Sequence, residues 1–380
     1  MIWVAWRMLT GDTAKYLGAV FGVAFGVLLI TQQASVFVGI ISRTANPLSD
    51  VREASIWVCD EYLQNADEIE PMADNAVYRV RGVEGIEWAV RLYKGMARAR
   101  KPNGLFRQVI LLGIDDQSLV GAPRKILMGD LASLRRPSAV FIDKSGYESL
   151  WPGEPLEIGR EIEMNDRRAV IVGICETSAP FQSFPVIIAC YSQATGFVAR
   201  ERNQLSFVVG APVPGVSPAE ACRRITTQTG LMAMTYREFI WLTIKYYLEN
   251  TGIPVNFGIT IVLGFVVGTA IAGQTFYLFT LENLRHFGAL KAMGVNNKRI
   301  TGMVLLQSLV IGLIGYALGV GMAVAFFEGT KQSLPQLRGI NIPWQIAVGS
   351  GAVMLVIMTL ASLLSLRKVL TLEPAVVFRG

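Results

Sequence analysis

Residues 16–41 read YLGAVFGVAFGVLLITQQASVFVGII, a run without a single charged side chain. Residues 254–281, 302–327 and 345–366 are also free of charge, and the four segments are 22 to 28 residues long. About 20 helical residues cross the roughly 30 Å hydrocarbon core, where a helix satisfies its own backbone hydrogen bonds. The pattern therefore predicts four transmembrane helices with one large domain inserted after the first.

The composition is that of a membrane protein, with 52% apolar residues, 17% charged residues and a mean hydropathy of +0.42. Ile2, Trp3, Trp6 and Leu9 share helical spacing, which is typical of an interfacial helix. The expected order is an interfacial helix at 1–15, transmembrane helices at 16–41, 254–281, 302–327 and 345–366, an extracytoplasmic α+β domain at 42–250, a cytoplasmic helix and loop at 282–301, an external loop at 328–344 and a cytoplasmic tail at 367–380.

The charge distribution predicts the orientation of the chain. Residues 43–250 hold 24 basic and 25 acidic residues, and the rest of the chain holds 11 basic and 4 acidic ones, so a basic nucleic-acid face is not expected. The basic residues that flank the spans on one predicted side are Arg7, Lys15, Arg285, Lys291, Lys298, Arg299, Arg367, Lys368 and Arg379. The positive-inside rule then places both termini and residues 282–301 in the cytoplasm. A cleavable signal peptide is the rival interpretation of 16–41, which is long for one and lacks a clear A-x-A site.

The inserted block combines predicted strands and helices. Six short runs rich in β-branched residues are expected to be strands, namely 77–83, 108–114, 139–142, 169–174, 185–189 and 205–209. Ser217, Pro218 and Glu220 predict a helix start with a capping box. Residues 236–249 predict another helix, whose aromatic side chains either lie at a membrane interface or pack inside the domain. The block is therefore expected to be an α+β domain.

Enzyme and metal chemistry find little support in the sequence. The only histidine is His286, and there is no H-E-x-x-H, G-x-S-x-G or nucleotide P-loop motif, so no catalytic role is expected. Asp115 and Asp116 follow a predicted strand without a further ligand nearby, which favours a solvated turn over a metal site. Cys59, Cys175, Cys190 and Cys222 lie in the inserted block without C-x-x-C spacing, and free, buried thiols are expected rather than two disulfides.

Glycines recur at four-residue spacing in three spans, where they permit close helix packing. They are Gly18, Gly22 and Gly26 in the first, Gly264 and Gly268 in the second, and Gly315 and Gly319 in the third. The spacing leaves open whether they face another helix of this chain or a second copy. None of the spans carries a central ionisable residue, so an ion-coupled carrier is not expected.

Residues 282–300 read ENLRHFGALKAMGVNNKRI and predict a short amphipathic helix. Leu284, Phe287 and Leu290 lie at three-residue intervals, and Gly294 suits a left-handed C-cap. The spacing alone leaves open whether this helix rests on lipid headgroups or docks a partner.

Residues 284–294 resemble the R-x-x-G-x-L-[RK]-A-[ILM]-G signature of FtsX/MacB-type ABC permeases. Residues 5–9 resemble the family's amphipathic opening, and residues 372–380, with Pro374, Ala375 and Arg379, resemble its usual ending. The topology of one span, a large domain and three spans is also the family's. Residues 76–83 and 92–98 are most similar to the DevC branch. His286 departs from the pattern, because many members have an acidic residue there.

The resemblance implies a homodimer in the lipid of a bacterial inner membrane, in which each copy docks a separate DevA-like ATPase through a coupling helix at 282–294. ATP and Mg²⁺ would be held by that ATPase, and this chain would bind no cofactor or metal. A DevB-like membrane-fusion protein and an outer-membrane channel would complete a tripartite assembly. The docking residues would be Leu284, Arg285, His286, Phe287, Leu290, Lys291, Met293 and Gly294, with Leu284, Phe287, Leu290 and Met293 as an apolar knob.

The implied function is export of a lipid or glycolipid, a peptide or a hydrophobic compound, driven by motion that the helices relay to the periplasmic domain. Two alternatives stay open. One is an FtsX-like signalling device that controls a periplasmic cell-wall hydrolase, and the other is a membrane receptor or platform without an ATPase.

Overall fold

The structure, a computed structural model, describes residues 2–46, 48–198, 204–330 and 340–370. The chain forms two compact units, a membrane unit of residues 1–39 and 252–380 and an inserted unit of residues 40–251. The helices, in chain order, are α1 (Ile2–Thr10), α2 (Thr13–Ser42), α3 (Ala76–Arg81), α4 (Lys144–Leu150), α5 (Tyr191–Ala194), α6 (Pro218–Thr229), α7 (Tyr236–Asn250), α8 (Ile253–Glu282), α9 (Leu284–Ala292), α10 (Asn297–Thr330) and α11 (Trp344–Leu370).

Four helices of the described chain are long and apolar enough to cross a membrane. They are α2, α8, α10 and residues Trp344–Leu363 of α11. The prediction of four spans with a domain inserted after the first is confirmed. The motif at 372–380 and residues 331–339 of the 328–344 loop lie outside the described residues.

The inserted unit is built on a mixed ten-stranded sheet. Its strands are β1 (Ile56–Cys59), β2 (Ile86–Arg100), β3 (Phe106–Ile114), β4 (Lys125–Gly129), β5 (Ala139–Asp143), β6 (Glu161–Met164), β7 (Arg167–Glu176), β8 (Val186–Cys190), β9 (Phe207–Pro212) and β10 (Met232–Thr235). The order is β10-β1-β9-β2-β3-β8-β5-β7-β4, and β6 pairs with both β2 and β7. Only the β3–β8 and β5–β7 pairs are parallel among the described strands.

The sheet buries both of its faces. In β1, Ile56 and Val58 belong to one buried cluster, whereas Trp57 belongs to the other. Strands covered on both faces have continuous apolar runs, which explains why the central strands were predictable as runs without alternation. Phe239 of α7 stacks on Trp57 with ring centroids 4.6 Å apart. The aromatic residues of α7 therefore contribute to the core of the inserted unit, although Trp241 is exposed.

Residues 77–83 are not a strand, and that prediction was wrong. Ala76–Arg81 form α3, in which Ala76, Val77 and Val80 are buried. A strand would have placed Arg79 and Arg81 on the same face as Val77, whereas a helix turns both arginines outward. The apolar period here is helical.

The predicted capping box at Ser217 forms only in half. The Ser217 hydroxyl accepts a hydrogen bond from the Glu220 backbone N–H at 3.2 Å. The Glu220 carboxylate instead accepts hydrogen bonds from Arg223 and Arg224. A reciprocal capping box opens α7 at Thr235 and Glu238.

Strand β2 carries a buried cation. Lys94 is 5% exposed, and its Nζ donates to the Ala66 carbonyl and to Asp67 Oδ1, each at 2.6 Å. Burial lowers the pKa of Lys94, and the Asp67 carboxylate opposes that shift. The Tyr247 hydroxyl donates to Asp67 Oδ2 at 2.7 Å, so one carboxylate connects the sheet to α7.

The four cysteines are buried and free, as expected. Burial raises the pKa of Cys59 and of Cys222 to about 12, so both are neutral thiols near pH 7.

A membrane-impermeant maleimide should label none of the four cysteines in the native protein and all four after unfolding without reductant. Mass spectrometry of the labelled chain measures both states. Fewer than four labels on the unreduced, unfolded chain would reveal a disulfide and contradict this assignment.

Candidate functional site

The connection between α8 and α10 is a short helix with defined ends. Asn283 separates α8 from α9, and its side chain donates to the Phe279 carbonyl at 2.9 Å. At the other end Gly294 has φ +86°, which favours glycine. The Gly294 N–H donates to the Lys291 carbonyl and the Val295 N–H to the Leu290 carbonyl, which is a Schellman motif. The predicted helix end at Gly294 is confirmed.

The two faces of α9 have different environments. Arg285, His286 and Met293 are exposed, and Met293 is 72% exposed. Leu284, Leu290 and Lys291 are half-buried. The exposed face thus combines a flexible thioether with a guanidinium group and an imidazole ring.

Phe287 lies on a different face, although it was predicted to belong to the apolar knob. Its side chain is 0% exposed and belongs to the same buried cluster as Leu9 of α1 and Ile300 and Val304 of α10. Three-residue spacing marks an apolar face but does not say whether the face meets a partner or its own bundle. Here it meets the bundle, so Phe287 anchors α9.

Helix α1 joins this arrangement through contacts that the sequence analysis missed. Gln307 of α10 is 2% exposed, and its Nε2 donates to the Ala5 carbonyl at 2.8 Å. Trp3 and Trp6 point outward, while Leu9 is buried. Gln307 is the single amide side chain in the span 302–327, and this was the signal that could have revealed the contact.

A second polar contact joins α2 to α8. Lys15 forms ion pairs with Glu282, the last residue of α8, and with Asp12 at 2.7 Å. Helices α1, α2, α8 and α10 therefore meet next to α9. We call α9 and its two ends, residues 283–294, the α9 platform.

The glycine faces pack within this chain. A Cβ added at Gly26 would lie 3.0 Å from the Gly268 Cα, and one at Gly22 would collide with Ile271. A Cβ at Gly264 would lie 3.2 Å from the Leu29 Cβ. These four glycines bring α2 and α8 together, which answers the question that their spacing left open.

Gly315 and Gly319 bring α10 against the same α2 helix. A Cβ at Gly315 would lie 2.8 Å from Val23 Cβ, and one at Gly319 would lie 2.6 Å from the Ala24 carbonyl oxygen. A Cβ at Gly18 would have no heavy atom within 4 Å among the described residues, so Gly18 takes no part in this packing.

The carboxylate pair after β3 is a turn. Asp115 accepts hydrogen bonds from the Gln117 and Ser118 backbone N–H groups, and Asp116 accepts one from the Ser192 hydroxyl. Within the described part of the chain, no group of three His, Cys, Asp or Glu residues could hold a metal ion.

Family comparisons agree with this architecture. Residues 17–228 match the model of the MacB-like periplasmic core domain, and residues 258–374 match that of the FtsX-like permease C-terminal domain. The chain belongs to the FtsX/MacB-type ABC transporter permeases. It is a multi-pass membrane protein of this family.

Several relatives are similar to this permease. An uncharacterized ABC transporter permease of Mycobacterium tuberculosis is 34% identical over 231 residues, which cover 59% of this chain and 58% of the relative. Another, of Mycobacterium bovis, is 31% identical over 119 residues, covering 31% of this chain and 32% of the relative. The chain therefore spans little more than half the length of the first relative.

Two solved structures are similar to about half of this chain. The periplasmic region of MacB from Actinobacillus actinomycetemcomitans has 15% identity and a TM-score of 0.38, covering 54% of this chain and 97% of that one. The extracellular domain of the transporter YknZ from Gram-positive bacteria has 13% identity and a TM-score of 0.36, covering 48% and 98%.

The packing of α10 on α2 gives a stability prediction. Gly319→Ala should lower the free energy of unfolding of the membrane unit by about 1–3 kcal/mol, because its methyl group would overlap the Ala24 carbonyl. Gly321→Ala is the matched control, since no described heavy atom lies within 4 Å of its methyl position. Unfolding by sodium dodecyl sulfate in mixed micelles compares them. Equal stabilities of the two variants would show that α10 does not pack on α2 at this glycine.

Proposed function

We propose that this chain is the permease subunit of an ABC exporter whose ATP is bound and hydrolysed by a separate subunit. The α9 platform docks that ATPase, and the membrane helices relay its motion to the inserted unit. The observation that carries this proposal is the division of α9 and its C-terminal end into an anchored face and an open face. Phe287 is fully buried, whereas Met293, directly after the nine-residue helix, is 72% exposed.

Such a helix suits the transmission of force. A docking helix that could roll independently of the bundle would dissipate the motion of its partner. Burial of Phe287 with Leu9, Ile300 and Val304 prevents that roll by apolar packing. A push on the exposed side chains therefore displaces α8 and α10 together with α9.

The orientation follows from the flanking charges. Arg285 and Lys291 lie in α9, and Lys298 and Arg299 lie at the start of α10, so the positive-inside rule favours a cytoplasmic α9 platform, where ATP is available. The family resemblance favours the inner membrane of a bacterium. The inserted unit then lies outside. The chain passes between the two units within α2 and between α7 and α8, so two covalent connections link them.

We further propose a DevC-type assembly, in which two copies of this chain act with two ATPases, a membrane-fusion protein and an outer-membrane channel. The similarity of residues 76–83 and 92–98 to that branch supports it. The cargo class is a lipid or glycolipid, a peptide or a hydrophobic compound. An ATP-coupled helical bundle without central ionisable residues is consistent with mechanical relay rather than ion coupling.

The docking role is tested on the exposed face. Met293→Asp should reduce the amount of ATPase that co-purifies from native membranes about tenfold or more, because it replaces the most exposed apolar side chain of the docking face with a charge. Met96→Asp is the matched control, since Met96 is also exposed but lies in the inserted unit. Quantitative mass spectrometry of the purified complexes measures the ratio. Undiminished recovery of the ATPase with Met293→Asp would refute the docking assignment.

Anchoring is tested separately from docking. Phe287→Ala should lower the stability of the membrane unit by about 3–5 kcal/mol through loss of buried aromatic surface. Met293→Ala should leave stability within about 0.5 kcal/mol of the parent, as expected for an exposed site. Detergent unfolding curves measure both, and similar losses for the two variants would contradict the assignment of two faces.

A further inference from the structure

A cavity of about 430 Å³ opens in the inserted unit, far in sequence from the α9 platform. This volume lies within the range of roughly 300–1,000 Å³ that is usual for small-molecule sites. Its walls come from β2, β3, the turn between β6 and β7, and the segment after α5. The lining residues are Arg98, Phe106, Asn165, Asp166, Arg167, Phe197 and Val198.

Asn165 holds three of these walls together. Its Oδ1 accepts from the Arg98 N–H at 2.9 Å, its own N–H donates to the Arg98 carbonyl at 3.0 Å, and its Nδ2 donates to the Phe197 carbonyl at 2.9 Å. Asn165 and Asp166 have φ of +46° and +62°, as in a two-residue hairpin turn of type I′. The walls are therefore positioned by backbone geometry before any ligand arrives.

Two guanidinium groups at this cavity are unlike their neighbours. Arg100 and Arg168, close by in sequence, form ion pairs with Glu163 and Glu161. By contrast, no carboxylate among the described residues lies within 4 Å of the Arg98 or Arg167 guanidinium, although Asp166 lines the same cavity. Each guanidinium can therefore offer its donors to a ligand.

An apolar surface lies beside these charges. The Arg98 guanidinium carbon lies 4.6 Å from the centroid of the Phe106 ring, which is within the range of a cation–π contact. Phe106 is 49% exposed, and Phe197 forms a buried part of the wall. The cavity thus places two guanidinium groups beside two aromatic side chains.

We propose that this cavity binds an organic anion that carries a ring or another compact apolar group. Carboxylates, sulfates and phosphates match the planar donor fork of arginine. A bare inorganic anion would make no use of the Phe106 ring, and a neutral ring would form no ion pair with either guanidinium group. The proposal does not depend on the docking of an ATPase.

The test uses phenyl phosphate as the probe and the full chain in phosphatidylcholine nanodiscs. Isothermal titration should show saturable binding of phenyl phosphate, weaker binding of inorganic phosphate and none of benzyl alcohol. Arg98→Gln and Arg167→Gln should each weaken phenyl phosphate binding about tenfold or more, because each removes charge-assisted hydrogen bonds.

Arg168→Gln is the matched control, since Arg168 is adjacent to Arg167 but is paired with Glu161. It should leave the affinity unchanged, and the melting temperatures of all three variants should equal that of the parent. The proposal is overturned if phenyl phosphate shows no saturable binding to the parent. It is also overturned if the double variant Arg98→Gln, Arg167→Gln binds as tightly as the parent.

Discussion

Close packing at glycine is the constraint on which the membrane unit depends. Lipid tails are as apolar as the helices, so association in a bilayer relies on dispersion and on close approach of backbones rather than on the hydrophobic effect. Gly26 meets Gly268 across the α2–α8 contact, and Gly319 lies against the Ala24 carbonyl across the α2–α10 contact. Helix α2 is thus fixed on two sides. With α2 held in this way, the end of α8 and the start of α10 contribute to the same buried cluster, which also contains Phe287 of α9 and Leu9 of α1.

The sequence was most informative where a single physical rule applied. Charge-free runs predicted the four spans because a bilayer admits almost nothing else. Glycine spacing predicted close packing, but spacing has no information about which helix supplies the opposite face. The same limit explains Phe287. An apolar side chain at helical spacing is equally suited to a partner and to its own bundle, and only the three-dimensional arrangement of α1 and α10 decides.

In the inserted unit, the prediction of strands failed where charged side chains lie within a strand. Strand β2 was not among the predicted strands, because it has few β-branched residues and charged side chains such as Arg91, Lys94 and Arg98 interrupt its apolar positions. Lys94 is tolerated inside because Asp67 and a backbone carbonyl bind its ammonium group. The partner lies 27 residues away in sequence, so local patterns could not reveal it. For the same reason the cavity at Arg98 and Arg167 could not be recognised, since it combines β2 with the β6–β7 turn.

The proposed function requires that the α9 platform and the inserted unit lie on opposite sides of one membrane. The most direct measurement is cysteine labelling of Met293→Cys and of Tyr62→Cys in sealed vesicles of both orientations. Met293 and Tyr62 are each 72% exposed, and the four native thiols are buried, so an impermeant maleimide would report the added cysteine. The account predicts that Met293→Cys is labelled only in inside-out vesicles and Tyr62→Cys only in right-side-out ones. Labelling of both variants from the same side would contradict it.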